Sequence, residues 1–263
     1  MAIGLTVNAQ NQNASQSITL GGTCKKLVVS FTDVNSNTGI GVTYNGVALT
    51  QAVSVAISGM TACIFYMDNP PTGSAYTLAI TGSGSIQCYV GIYELTGTSG
   101  GVGATASNSS SSLATSITTS ITTTKANSLI LNAVGVDVAN ATSNTNSETE
   151  RYTGTDAGSN YRMTGSSLAA ATVQSYTTGY NTGNGRRVLV AVEIKEPTAL
   201  SLSLAQGSYT YTGFALLMTR TRTILMAYGS YAYTGYDIAL TKLRNFTNRV
   251  KNITSWTNRD KTE

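Results

Sequence analysis

A short repeat near the C-terminus constrains the fold of this chain more than any other feature. The segment 207–213 reads GSYTYTG and returns as GSYAYTG at 229–235, an offset of 22 residues. A unit of this length cannot bury an apolar face by itself, so it needs a neighbouring copy or a second chain to complete a core. The repeat therefore indicates a structural or assembly role.

The composition favours strands over helices. Charged residues make up only 11% of the 263 residues, and polarity comes instead from Ser, Thr, Asn and Gly. Straight-chain helix formers are scarce, whereas Thr, Val, Ile and Tyr fit pleated sheets. Salt screens the interactions of charged groups, but it does not screen those of neutral hydroxyl and amide groups. We therefore expect an all-β chain whose surface tolerates changes in ionic strength.

Short apolar runs separated by turn residues cover the first 197 residues. The best strand candidates are 27–31, 61–67, 76–81, 86–95, 129–136 and 187–194. Asn45-Gly46 between two such runs is the strongest hairpin signal. A gapped echo of Ser17–Val34 in Ser120–Val138 suggests a β-sandwich of two similar halves. We interpret the Ser/Thr/Gly-rich stretch from Thr96 to about Ser112 as a surface connection between these halves.

Proline marks the end of this first domain. Pro197 cannot donate to a sheet ladder and restricts the residue before it. We expect a β-sandwich over residues 1–197, a two-copy β-repeat over 198–242 and an extended basic tail over 243–263. Residues 200–263 carry a formal charge of +5, whereas residues 1–199 carry −1. The basic tail is either a solvated end or a contact for an acidic partner surface or nucleic acid.

The tyrosines of the repeat predict a self-association surface. In an extended strand Tyr209 and Tyr211 share one face, as do Tyr231 and Tyr233, with smaller residues opposite. Such a strand suits packing against copies of itself, and a closed homotrimer would leave no open strand edge. The residues predicted for self-association are Tyr209, Tyr211, Tyr231, Tyr233, Phe214 and Tyr236. Those predicted for partner binding by the tail are Arg244, Arg249, Lys251, Trp256 and Arg259.

The sequence offers little for catalysis. It contains no histidine, which excludes Ser-His-Asp and Cys-His triads. Glu148 and Glu150 would lie on one face of an extended strand, where a glycosidase could use them, but a solvated pair is the simpler interpretation. Asp33, Asn35 and Asn37 alternate oxygen ligands and form a candidate calcium site, with an Asx-rich turn as the preferred interpretation. We expect no enzyme activity, no bound metal and no cofactor.

The three cysteines form no metal-binding pattern. Cys24, Cys63 and Cys88 lie far apart in the sequence, and the last two resemble small core residues of strands. The N-terminal segment lacks the pattern of a secretory signal, and no apolar run reaches the roughly 18 residues of a membrane span. We therefore expect the chain to be made and folded in a cytoplasm, without a membrane.

Five segments of the first domain carry a resemblance. They are KLVVSF (26–31), VTYNGVALTQA (42–52), IFYMDNPPTG (64–73), SLIL (128–131) and VLVAVEIK (188–195). Together they resemble jelly-roll-like β-sandwich domains of tailed-bacteriophage virion proteins and some bacterial surface proteins. The Gly-Ser-Tyr-x-x-Thr-Gly repeats look like those that end many phage structural proteins. The resemblance implies a jelly-roll-like antiparallel sandwich and a virion component.

Two hypotheses about function follow. The leading one is a non-enzymatic virion structural protein: a capsid decoration or head-fibre protein, or a tail-associated surface component. Its partners would be copies of itself, with a trimer favoured, and other virion proteins on the virion surface, after assembly in the host cytoplasm. The alternative is a glycan- or receptor-binding adhesin, which would present exposed aromatic side chains on a concave face to a host-surface glycan. Neither hypothesis involves a membrane or nucleic acid.

Overall fold

Every regular element that the structure describes is a β-strand. This computed structural model describes residues 3–11, 14–35, 37–138, 143–145, 147–155 and 160–197, and the short strands 202–204, 209–211, 224–226 and 231–233. The chain divides into two units, Met1–Thr198 and Ala199–Glu263. The prediction of an all-β sandwich fold is confirmed.

The first half of the larger unit is an antiparallel sandwich of two sheets. Its strands are β1 (Gly4–Asn11), β2 (Ser15–Thr19), β3 (Lys26–Asp33), β4 (Gly41–Tyr44), β5 (Val47–Ala48), β6 (Thr50–Ile57), β7 (Met60–Asp68), β8 (Ala75–Thr81) and β9 (Cys88–Thr96). The inner sheet has the order β1-β9-β3-β7-β6 and the outer sheet the order β2-β8-β4-β5. The orders β1-β9-β3-β7 and β2-β8-β4-β5 are those of the two sheets of a jelly roll, with β6 added at one edge.

The second half repeats this plan. Its strands are β10 (Thr105–Thr122), β11 (Ser128–Val136), β12 (Ser143–Asn144), β13 (Thr149–Thr155), β14 (Arg162–Ala170) and β15 (Ser175–Ile194). The sheet order β10-β15-β11-β14-β13 matches the inner sheet of the first half strand for strand, and β12 pairs with β15 as β4 pairs with β8. Here the long strands β10 and β15 run through both layers, with register shifts between Ser110 and Ser116. In the first half the equivalent strands are separate elements: β1 and β2 correspond to β10, and β8 and β9 correspond to β15.

Each half contains one aspartate that accepts a backbone N–H of its last strand or of the residue just before it. The Asp33 carboxylate, at the end of β3, accepts the backbone N–H of Gln87 at 2.9 Å, just before the last strand of its half. Asp137, just after β11, accepts the N–H of Arg186 at 2.5 Å, at the matching place in β15. The sequence echo therefore reflects two halves with the same strand order, whose inner sheets pack on each other.

The residues of the larger unit form four layers of strands with three cores between them. The first core lies between the sheets of the first half and includes Ile18, Leu27, Val29, Phe31, Val42 and Leu78. The second joins the two inner sheets and includes Val28, Ile64, Tyr93, Leu131, Val190 and Val192. In the third, the outer parts of β10 and β15 cover β11, through Ile117, Ile121, Ile130, Val134, Tyr180 and Leu189. Because β3 and β11 are covered on both faces, nearly every residue of these two strands is buried, including polar ones such as Ser30 and Asn132.

Two local predictions are confirmed and one is wrong. Asn45 and Gly46 join β4 to β5 with φ of 52° and 73°, the left-handed conformations of a two-residue hairpin. Cys63 and Cys88 are free thiols buried in the first core, and burial raises the pKa of each to about 12. The stretch from Thr96 to Ser112 is not simply a surface connection, because β10 begins at Thr105 and pairs with β15. Its Thr and Ser residues suit an edge strand, which exposes most of its side chains.

The second unit contains the repeat. Its described strands are β16 (Leu202–Leu204), β17 (Tyr209–Tyr211), β18 (Ile224–Met226) and β19 (Tyr231–Tyr233). Strand β16 pairs with β18, and β17 with β19, both in parallel. Each position pairs with the position one repeat later, such as Leu202 with Ile224. The two copies therefore stack as successive coils.

Candidate interaction surfaces

Glu148 is a buried structural carboxylate of the second half. It is 8% exposed and precedes β13. One oxygen accepts the Asn132 amide at 2.7 Å and the hydroxyl of Ser166, and the other accepts the backbone N–H of Gly179 at 2.9 Å. Protein donors therefore occupy both oxygens, and these donors come from β11, β14 and β15.

Glu150 lies in a different environment. It is exposed on β13, and the hydroxyl of Thr164 donates to it at 3.4 Å. The sequence places Glu148 and Glu150 on one face, but the structure buries the first and leaves the second in solvent. This arrangement fits a structural role for Glu148 and a solvated Glu150.

The candidate calcium residues form a closed turn. One Asp33 oxygen accepts the side-chain amide of Asn37 at 2.9 Å and the backbone N–H groups of Asn37 and Asn35 at 3.3 and 3.4 Å. The Asn35 and Asn37 amides also donate to the Ser85 carbonyl, at 3.0 and 2.8 Å. N–H donors rather than oxygens therefore face the carboxylate, as in an Asx-rich turn. Within the described ranges, no three His, Cys, Asp or Glu side chains cluster as metal ligands.

A buried lysine ties the connection between the halves to the first sandwich. Lys26 is fully buried, and its ammonium donates to the Asp68 carboxylate and, at 2.7 Å, to the Gly101 carbonyl. Asp68 in turn accepts the N–H of Gly101 at 2.6 Å. Burial lowers the pKa of Lys26, and the bond to Asp68 opposes that shift. The segment around Gly101 is thus fixed by an ion pair that spans β3 and β7.

A buried glutamate ties the same connection to the second sandwich. The Glu193 carboxylate accepts the N–H groups of Ala104 and Thr124 at 2.9 Å, the N–H of Lys125 at 3.0 Å and the hydroxyl of Ser128 at 2.8 Å. Burial alone would raise the pKa of Glu193, but these donors outweigh burial and hold the pKa below its ordinary value. This role has no signal in the sequence, because a lone Glu within an apolar strand resembles an exposed position.

The outermost strands present hydroxyl groups and no charge. Their sequences, 15–19, 75–81, 114–122 and 175–183, contain no Asp, Glu, Lys or Arg. The exposed side chains on these strands include Ser15, Ser17, Thr19, Thr77 and Thr81 in the first half, and Thr118, Ser120, Thr122, Ser175 and Thr177 in the second. Both halves therefore cover their outer cores with a neutral, hydrogen-bonding layer.

The aromatic platform expected of an adhesin is not found in the described part of residues 3–197. All Phe and Tyr side chains there are buried or half-buried. An open depression of about 390 Å³, lined by residues such as Ile3, Leu129 and Ala169–Ala171, has no aromatic among its lining residues. The large apolar side chains that are exposed are aliphatic: Val47, Leu113 and Val173.

The predicted self-association residues lie in the stacked repeat. The structure pairs Tyr209 with Tyr231 and Tyr211 with Tyr233 on neighbouring parallel strands. Phe214 and Tyr236 lie outside the described residues. The predicted tail residues Arg244, Arg249, Lys251, Trp256 and Arg259 lie outside them too.

Comparisons with known proteins did not identify a family. Searches with protein-family models, curated proteins and solved structures found no significant match to this chain. The described residues include no helix with the length and hydropathy needed to cross a membrane.

Proposed function

We propose that this protein is a non-enzymatic structural component of a virion surface that self-associates through its C-terminal repeats. One observation carries the proposal: β16 pairs with β18 and β17 with β19, in register, at the offset of the sequence repeat. The repeat segment thus binds another copy of itself through its backbone. A chain with this property has the means to bind a second chain in the same way.

Two coils are too few for a stable stack. Repeat architectures generally need about three or more units, because terminal units lack a neighbour on one side. Within the described part of the second unit, each three-residue strand pairs with one other strand, and a strand edge that stays unpaired favours addition of further strands. Self-association supplies the missing neighbours, and a trimer is the assembly that we favour.

The larger unit suits display on a particle. Its outer strands carry hydroxyl side chains and no charge, so their hydration does not depend on ionic strength. Buried charged groups around Gly101 and Glu193 fix the connection between the halves, so the tandem jelly rolls form one body. The resemblance of the sequence to phage virion domains supports a capsid decoration, head-fibre or tail-associated position, with other virion proteins as partners.

Light scattering on three chains tests the assembly claim. The full chain should form oligomers at micromolar concentration, and a chain ending at residue 197 should be monomeric. A chain ending at residue 242 keeps the repeats without the basic tail, and it should still form oligomers. A monomeric full chain would contradict the proposal, and oligomers of the 1–197 chain would move the interface to the jelly rolls. Cryo-electron microscopy of an intact particle that contains the protein tests the virion assignment.

A further inference from the structure

Each repeat strand has one free edge among the described strands. Strand β17 pairs only with β19, and β16 only with β18, within the part of the chain that the structure describes. A strand in a sheet can pair on both sides, so one side of each remains available. Among the described strands, the repeat therefore has two open edges, one on β16 and β17 and one on β18 and β19.

The two open edges are complementary to each other. Tyr209–Tyr211 and Tyr231–Tyr233 differ only at Thr210 and Ala232, and they pair in parallel without a register shift. Strand β17 binds β19 through one of its two edges. The corresponding edge of β19 is free among the described strands, and it presents the same backbone pattern as that edge of β17. In the same way, the free edge of β17 presents the same backbone pattern as the edge of β19 that is already paired with β17. The first coil of a second copy can add to the second coil of the first by the contact that the chain makes internally.

We infer that β19 of one copy pairs with β17 of the next, and β18 with β16, so that the copies add head to tail. This inference rests on the proposed self-association and specifies its geometry. The contact joins unlike surfaces, and such a contact either propagates or closes into a ring.

Disulfide trapping distinguishes this geometry. Thr210 and Ala232 are direct partners on neighbouring strands, a separation within the usual Cα range of about 4.4–6.8 Å for a disulfide. Full chains that carry Thr210→Cys or Ala232→Cys are co-expressed with different affinity tags and oxidised mildly. The native cysteines are buried, and burial raises the pKa of Cys24, Cys63 and Cys88, so they do not compete.

The expected result is a covalent dimer between the two variants and none in either variant alone. Light scattering of the unmodified chain should show oligomers. A matched control pairs Thr210→Cys with Leu225→Cys, whose strands belong to different sheets, and it should give no covalent dimer.

Two outcomes would overturn the inference while self-association stands. The first is a dimer in the Thr210→Cys sample alone, which indicates copies that meet through like surfaces. The second is an oligomer in which the mixed pair gives no crosslink. A full chain that stays monomeric would instead remove the proposed function on which the inference rests.

Discussion

Glu94 and Glu193 make the same contact in the two halves of the larger unit. Glu94, in β9, accepts the backbone N–H of Gly21 at 2.7 Å, and Glu193, in β15, accepts the N–H of Thr124 at 2.9 Å. Each donor belongs to the turn before the central strand of its own half, β3 or β11. In each half, a carboxylate in the last strand thus fixes the turn that leads into the central strand.

The stability of the protein should depend on pH through Glu193. Its donors hold its pKa below the ordinary 4.5, so its contribution is complete above pH 4.5 and is lost as the pH falls through the lower pKa of the folded state. Glu193→Gln should lower the free energy of unfolding by about 2 kcal/mol at pH 7, and the difference from the wild type should shrink below pH 4.5. Urea denaturation at pH 7, 4 and 3 measures this. The exposed Glu150→Gln serves as control, and a difference that is the same at every pH would contradict the assignment.

Removing Asp68 should leave an unpaired buried charge. Asp68→Ala should cost about 3 kcal/mol, because Lys26 keeps its buried ammonium without a carboxylate. The double variant Lys26→Met/Asp68→Ala should recover much of that loss, since an apolar chain replaces the buried ion. Denaturant midpoints of the three proteins provide the measurement. If the double variant is less stable than Asp68→Ala, the ammonium is not the source of the cost.

The buried ring of Tyr152 packs against two glycines, one in each half of the larger unit. A Cβ at Gly91 of the first half or at Gly165 of the second would overlap the buried Tyr152 ring. Gly91→Ala should therefore destabilise the protein by about 1–3 kcal/mol through overpacking between the inner sheets. Gly22→Ala is the matched control, because a Cβ there has no neighbour within 4 Å. Thermal melting compares them, and equal melting temperatures would show that the tyrosine relaxes freely.

Calcium should not stabilise the Asp33 turn. Asp33 is fully buried and accepts N–H donors on both oxygens, so Asp33→Ala should cost about 2 kcal/mol with or without the ion. Melting curves of the wild type in millimolar calcium and in chelator should superimpose. A melting temperature that calcium raises in the wild type, and not in Asp33→Ala, would establish a metal site.

Short-range signals in the sequence predicted the strands better than their arrangement. The runs around Val29, Ile64 and Leu131 lie in β3, β7 and β11, and Asn45-Gly46 forms the predicted hairpin. These depend on local periodicity and turn chemistry, which the sequence displays directly. The arrangement of the sheets depends on which strands pair across about 40 to 90 positions, as Lys26 does with Asp68 and Thr105 with Val192. Local patterns do not encode such pairing.

The buried polar groups were the hardest to anticipate. Glu148 and Glu193 are ordinary acids in the sequence, and only the fold brings donors such as Asn132 and Thr124 to them. The sequence also did not predict the first part of β10, because its Ser-rich segment 107–112 has the composition of a loop. Its strand conformation comes from pairing with β15, which overrides local preference.

The apolar face shared by the two inner sheets has a consequence for each half taken alone. Each half covers the other's inner sheet, so a single half would expose the side that now includes Val28 and Ile64, or Leu131 and Val190. Because an exposed apolar face of this kind drives association, a fragment that contains one half should pair with another molecule or aggregate.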